Sequence, residues 1–307
     1  MPEEAAEGIR SGSVVFPASD YGNPDPDWLK IDWREHLRRL ELPGADVNYA
    51  EIGEGEPILF VHGLAGCWRN WLENLPHFGR GHRAIALDLP GFGHSPLPDW
   101  PIDMPSYGRL IHDFCEALGI GRVAALVGNS MGGFAATEAA VEDRSRFERL
   151  VLVSAAGISF AEAQGRRTEA FARMVETLAP FLAGPRRAWL NRPRGREIAF
   201  GNLFRYPNRL RPELLQEQMV PGLNSPGFGA ATRALAGYDT RHRLPEIELP
   251  TLVVWGLNDR IVPVEAALGY HRLIAGSRLE IFERTGHLPQ LERPARFNAL
   301  LDEFLSD

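Results

Sequence analysis

The chain has 307 residues, of which 44% are hydrophobic and 24% charged, and a formal net charge of −7. This is the balance of a globular chain with a sizeable core, and its mild acidity gives no electrostatic reason to expect nucleic acid or an anionic membrane as a partner. The opening MPEEAAEGIR is acidic and lacks the apolar core of a secretory signal, and no stretch approaches the ~20 apolar residues of a membrane span, so the sequence predicts a cytoplasmic protein with no membrane span.

Residues 1–36 have little periodicity and read as an N-terminal extension, with Trp28, Ile31 and Trp33 placed to anchor its end. From 37 to 52, apolar and polar residues alternate loosely around Pro43-Gly44, which predicts an antiparallel pair at a sheet edge. Then come short Val-, Ile- and Leu-rich runs at 58–61, 84–87, 123–127, 150–153, 252–255 and 279–282. Such runs fit strands buried on both faces of a parallel sheet. Leu110, Ile111, Phe114 and Leu118 share one helical face, as do Phe297, Leu300, Leu301, Phe304 and Leu305. Strand–helix alternation predicts an α/β fold, a mostly parallel central sheet with helices on both faces.

The alternation is interrupted once, which divides the core into 37–157 and 245–307 around a helical cap or lid at 158–244. Within it, Phe171, Met174, Val175, Leu178, Phe181 and Leu182 mark an amphipathic helix. Leu214, Leu215 and Met219 mark another, beyond a Pro-, Gly- and Arg-rich stretch. The two cysteines, Cys67 and Cys115, cannot make a disulfide framework, and both read as small packing residues.

The strongest chemical signal is VAALVGNSMGGFA at 123–135. An apolar strand runs into Gly128-Asn129-Ser130-Met131-Gly132 and a helix begins. A turn this tight thrusts the middle side chain outward, and glycines on both sides let strand and helix approach without Cβ clashes. Ser130 is the candidate nucleophile. A hydroxyl needs a general base, and His287, on the constrained loop TGHLP after the last run, supplies the candidate. Asp259, after the penultimate run, is the candidate acid that orients the imidazole; Asp239 and Glu283 are its nearest competitors. Two backbone N–H groups, those of Leu64 in HGLAG and of Met131, are the candidate oxyanion donors. His62 braces that loop.

HGLAG at 62–66, LDLPGFGHS at 87–95, GNSMGG at 128–133, WGLNDRIVP at 255–263 and GHLPQLERP at 286–294 resemble, in order, the signatures of the α/β-hydrolase superfamily. The resemblance implies the fold, a cap between the sixth and seventh core strands and a triad of Ser130, Asp259 and His287. Members that open epoxides or displace halide carry Asp at the elbow, so Ser130 argues against both chemistries. GNSMGG is similar to the form found in meta-cleavage-product C–C hydrolases, and it also occurs in esterases. In many of those C–C hydrolases an aromatic follows the histidine; here it is Leu288.

These features predict a serine hydrolase, foremost a carboxylesterase acting on small to medium esters through an acyl-enzyme. A C–C bond hydrolase of the meta-cleavage-product type or a lactonase is the alternative, and a non-catalytic ligand-binding protein on the same fold a more distant one. The partner expected is a small ester-type molecule. Neither a cofactor nor a metal is called for: Gly91 to Ser95 lacks dinucleotide spacing, and no ligand cluster appears. Arginines between 186 and 211 read as a solvated face of the cap. Trp68, Trp71 and Phe134 suit either core packing or an apolar pocket. Oligomeric state leaves no trace in the sequence.

Overall fold

Parallel strands need crossover connections that cover both sheet faces, so their side chains are apolar throughout. In the computed structural model, which describes residues 20–158, 190–219 and 225–307, the apolar runs become such strands. The sheet has eight: β1 (Leu37–Leu42), β2 (Ala45–Ile52), β3 (Pro57–Val61), β4 (Arg83–Leu87), β5 (Ala125–Asn129), β6 (Leu150–Val153), β7 (Thr251–Gly256) and β8 (Arg278–Phe282). Their order is β1-β2-β4-β3-β5-β6-β7-β8. β1 and β2 form the expected antiparallel edge pair, β2 also runs antiparallel to β4, and every other pairing is parallel.

Alternate residues of each strand feed two cores. Leu59, Leu126, Leu152 and Val253 pack with Phe114 and Phe134 on one face. Phe60, Val127, Val151 and Val254 pack with Trp71 and Phe297 on the other. The covering helices are α1 (Leu75–Phe78), α2 (Met104–Ala117), α3 (Met131–Glu142), α7 (Glu265–Leu273), α8 (Pro289–Glu292) and α9 (Pro294–Ser306), while α4 (Pro193–Phe200), α5 (Pro212–Met219) and α6 (Phe228–Gly237) lie between β6 and β7. α2 starts where Asp103 accepts the Ser106 N–H at 2.7 Å, an N-cap that satisfies one of the orphan donors of the first turn. Its apolar face, Leu110, Ile111 and Phe114, is buried as the periodicity predicts. So are Phe297, Leu300, Leu301 and Phe304 on α9.

Between β6 and β7, Leu214 and Leu215 are buried on α5, whereas the helix predicted at 171–182 lies outside the described residues. One of the arginines departs from the expected solvated face. Arg196 is 6% exposed and donates to the carbonyls of Leu190 (2.9 Å), Asn191 (3.1 Å), Pro207 (3.3 Å) and Asn208 (2.9 Å). Only a five-donor fork can collect so many carbonyls, and it staples the chain on both sides of α4 together. The end of the N-terminal extension is anchored by tryptophans: Trp28 Nε1 donates to Glu73 Oε1 at 2.9 Å, and the Trp33 ring packs on Trp68 at 4.9 Å.

Candidate active site

Ser130 stands between β5 and α3 with φ 54° and ψ −116°, a backbone region that costs a non-glycine residue about 1–3 kcal/mol. The surroundings impose it. Ser130 N donates to Val153 O at 3.0 Å, and Ser130 O accepts from Ala156 N (3.0 Å) and Phe134 N (3.2 Å). The elbow glycines are required by space: a Cβ on Gly132 would stand 2.2 Å from Val61 O, and one on Gly128 would stand 2.3 Å from Gly132 O. Serine at a helix N-cap usually bonds the first turn. Ser130 makes no such bond, which leaves its Oγ uncommitted.

The 62–66 loop lies against this elbow, for a Cβ on Gly63 would sit 3.0 Å from Ser130 Cβ. Gly66 N donates to Gly63 O at 2.9 Å, closing a tight turn across Leu64 and Ala65, the latter at φ 60°. Met131 is the first residue of α3, where an N–H has no carbonyl within the helix to meet. His62 is wholly buried. Its Nε2 accepts the Leu89 N–H at 2.9 Å, so the proton is on Nδ1, which donates to Gly63 O at 2.7 Å. Burial lowers its pKa, and a neutral ring with both nitrogens engaged braces the loop, as the sequence suggests.

His287 and Asp259 meet. His287 Nδ1 is 2.7 Å from Asp259 Oδ2, and Asp259 Oδ1 accepts from Ile261 N (2.8 Å) and Val262 N (2.9 Å). The carboxylate is thereby fixed, the ring proton is placed on Nδ1, and Nε2 carries the free lone pair. The two loops close on each other at Gly256, where a Cβ would lie 1.9 Å from Gly286 O. Asn129 joins the histidine loop to the elbow, its Nδ2 donating to Val153 O (3.0 Å) and His287 O (3.5 Å). Ser130 and His287 are 7% and 4% exposed. The hydrogen bonds of these residues do not include one from Ser130 Oγ to the ring; in resting enzymes such bonds often tighten only around substrate. The competing acids lie elsewhere: Asp239 is paired with Arg241 and Glu283 is exposed.

Two carboxylates escaped the sequence reading. Asp88 is wholly buried and accepts from Trp68 N (2.6 Å), Asn48 Nδ2 (2.8 Å) and His94 N (2.9 Å), tying the 87–95 run to the segment after the 62–66 loop. The LDLPGFGHS run was its visible signal, since Gly93 leaves no room for a Cβ beside that carboxylate. The other, Glu292, lies five residues beyond His287. Trp68, Trp71 and Phe134 are buried; Trp71 packs on Phe60 at 5.0 Å and Phe134 stacks on Tyr238 at 5.3 Å. Cys67 and Cys115 are free and buried, and burial pushes both thiols up to about 12. Among the described residues no group of three or more His, Cys, Asp or Glu is placed to hold a metal, and no helix is long and apolar enough to cross a membrane.

A family model described as alpha/beta hydrolase fold matches residues 56–294, and the chain belongs to that family of hydrolases. Among its curated relatives, 2-hydroxy-6-oxo-2,4-heptadienoate hydrolase of Pseudomonas putida is 30% identical over 285 residues, covering 88% of this chain and 96% of its own. 2-Hydroxy-6-oxo-6-phenylhexa-2,4-dienoate hydrolase of Comamonas testosteroni is 33% identical over 270 residues, 84% of this chain and 91% of its own. Among solved structures, a thermophilic esterase from Thermogutta terrifontis superposes with a TM-score of 0.71 at 25% identity, over 88% of this chain and 98% of that one.

Proposed function

We propose that this protein is a serine hydrolase that cleaves the C–C bond of a vinylogous diketone acid, with Ser130 as nucleophile, His287 as base and Asp259 as the acid that orients it. The observation that carries the triad is the 2.7 Å contact between His287 Nδ1 and Asp259 Oδ2, on a loop that Asn129 ties to the Ser130 elbow. The preference for C–C cleavage over ester cleavage draws on the two curated relatives, each named for a hydroxy-oxo-dienoate substrate. The segment 158–244 serves as the cap over a core formed by 37–157 and 245–307.

His287 Nε2 takes the Ser130 proton as Oγ attacks the ketone carbon. The alkoxide that forms is held by the Leu64 and Met131 N–H groups; one such donor is worth about 2.7–4 kcal/mol of barrier in comparable sites. Collapse breaks the bond to the neighbouring carbon. A bare carbanion is a poor leaving group, so the substrate must let the electron pair delocalise through a double bond onto a second carbonyl. The proton on His287 is then delivered to that fragment. Water, deprotonated by His287, hydrolyses the acyl-Ser130 ester and restores the enzyme. Neither metal nor organic cofactor enters these steps.

Carboxylesterase activity, with lactone hydrolysis beside it, is the second reading. It is favoured by Leu288, which is 3% exposed and part of the core, where many C–C hydrolases carry an aromatic. A panel of p-nitrophenyl esters, lactones and vinylogous diketone acids decides between them. The proposal expects kcat/KM for a diketone acid at least 100-fold above that for p-nitrophenyl acetate, and its loss in Ser130→Ala. The reverse ranking makes the protein an esterase. Absence of fluorophosphonate labelling in folded wild-type protein rejects the serine hydrolase and leaves a ligand-binding protein.

A further inference from the structure

Glu292 is wholly buried, yet its carboxylate meets three separate parts of the chain. Oε1 accepts the Gly286 N–H at 2.7 Å, in the loop that carries His287. Oε2 accepts the Arg205 N–H at 2.7 Å, from the connection between β6 and β7. The same Oε2 accepts the Tyr21 hydroxyl at 2.6 Å, from the N-terminal extension. Further bonds repeat the pattern: Gly22 N donates to Glu292 O (2.7 Å) and His287 N donates to Leu203 O (2.8 Å), while Tyr206 N donates to Tyr21 Oη at 2.9 Å. Arg293, next in the chain, pairs with Asp20, lies 5.4 Å from the Tyr21 ring centroid and donates to Thr285 Oγ1 at 2.9 Å.

We propose that Glu292 and Tyr21 are positioning residues for His287, and that the N-terminal strap from Asp20 onward locks the histidine loop and the β6–β7 connection into one geometry through this carboxylate. The inference rests on the reading of His287 as the base. A carboxylate with three donors fixed around it has no freedom to rotate. Gly286 N is one residue from the imidazole, so its tether sets where the ring can stand. Removing the Tyr21 hydroxyl leaves Oε2 with one donor fewer and Tyr206 N without its acceptor, and the whole junction loosens. Misplacing a catalytic group by about 1 Å can cost roughly 100-fold in rate.

The test uses the full chain and the rate constant of fluorophosphonate labelling, which needs Ser130 and His287 but no natural substrate. Proton NMR of the downfield His287 Nδ1–H resonance gives a second, turnover-independent readout. Tyr21→Phe and Glu292→Gln are expected to slow labelling at least tenfold and to broaden or shift that resonance. Asn23→Ala cuts a different tie of the same strap, the 2.9 Å bond from Asn23 Nδ2 to Glu73 Oε2, and is expected to stay within twofold of wild type. If Glu292→Gln does not fold, Tyr21→Phe carries the test alone. Wild-type labelling and an unmoved resonance in Tyr21→Phe overturn the proposal, as does an equal loss in Asn23→Ala. Labelling that persists in Ser130→Ala overturns the serine hydrolase reading itself, and that result is distinct from the other two.

Discussion

Replacing Asp259 with Asn tests the proposed triad most sharply, because the two side chains have the same shape and differ in one donor. Asp259 Oδ1 accepts two backbone N–H groups at 2.8 and 2.9 Å, and Oδ2 faces His287 Nδ1 at 2.7 Å. An Asn amide must keep its oxygen on the side of the two N–H groups. Turning it over would bury two unsatisfied donors against an NH2, at about 1–3 kcal/mol each. The NH2 therefore faces the imidazole, and two donors cannot meet. The ring responds by moving its proton to Nε2, the atom needed as base. The expected loss in labelling rate and in kcat is roughly 10^4-fold, the size seen for the same exchange in another serine hydrolase, or about 5 kcal/mol of barrier. Thermal stability should change little, since both backbone bonds persist. Asp239→Asn is the control and should stay within twofold. If Asp259→Asn keeps more than a tenth of the wild-type rate while folded, the tautomer argument fails and another group orients His287.

Three further outcomes follow from the geometry. Ser130→Gly removes both the nucleophile and the strained φ of 54°; about 1–3 kcal/mol of strain relief against roughly 0.5–1 kcal/mol of added unfolded-state entropy leaves a net gain of about 1 kcal/mol. Calorimetry should show a Tm at least as high as wild type, and a clear fall would remove strain from the account of the elbow. Gly286→Ala places a Cβ 2.6 Å from Leu203 O and 3.0 Å from Arg205 N, which pushes the histidine loop off the β6–β7 connection. It should cost about 1–3 kcal/mol of stability and lower kcat, as read by urea unfolding and turnover. Burial raises the Glu292 carboxyl from the ordinary 4.5 to about 7. The native state thus holds this proton to higher pH than the unfolded chain, so the stability linked to it is present below pH 4.5 and lost as pH rises through about 7, on the order of 3 kcal/mol in all. The groups facing it are Tyr21 from the strap, Gly286 and Leu288 from the histidine loop, and the Arg205 backbone. Urea titrations at pH 5 and pH 8 should show a steeper decline for wild type than for Glu292→Gln; equal slopes would count against the raised value.

The sheet was legible because the inner parallel strands carry their burial in the sequence as short apolar runs. The run at 123–127 shows the limit of that rule. Val123 makes only an isolated bridge to Phe147, whereas Gly128 and Asn129 continue the ladder opposite Leu152 and Val153, and neither residue scores as apolar. α4 went unread because PRGREIAF looks like a loop by composition, and what orders it is Arg196 gathering carbonyls distant in sequence. Ser130, Asp259 and His287 could be singled out as candidates because each follows a strand end in a turn with its own local signature. Asp88 also follows a strand end in a signature run and Glu292 lies within GHLPQLERP, but the part each plays as an acceptor was not legible. A buried carboxylate that accepts backbone N–H groups leaves no periodic trace, and its partners, Asn48 and Tyr21, lie 40 and 271 residues away.

That difference in legibility has a physical origin that bears on the chemistry. The residues proposed to react stand beyond strand ends, where the fold places them, so each is marked by a local motif. The residues proposed to hold His287 in register come from the N-terminal extension and from the β6–β7 connection together. The connection touches the histidine loop directly, through Leu203 O and His287 N at 2.8 Å. Under the proposed reading of His287 as the base, changes made in this connection act on that base. They should lower kcat, because this stretch of backbone tethers His287.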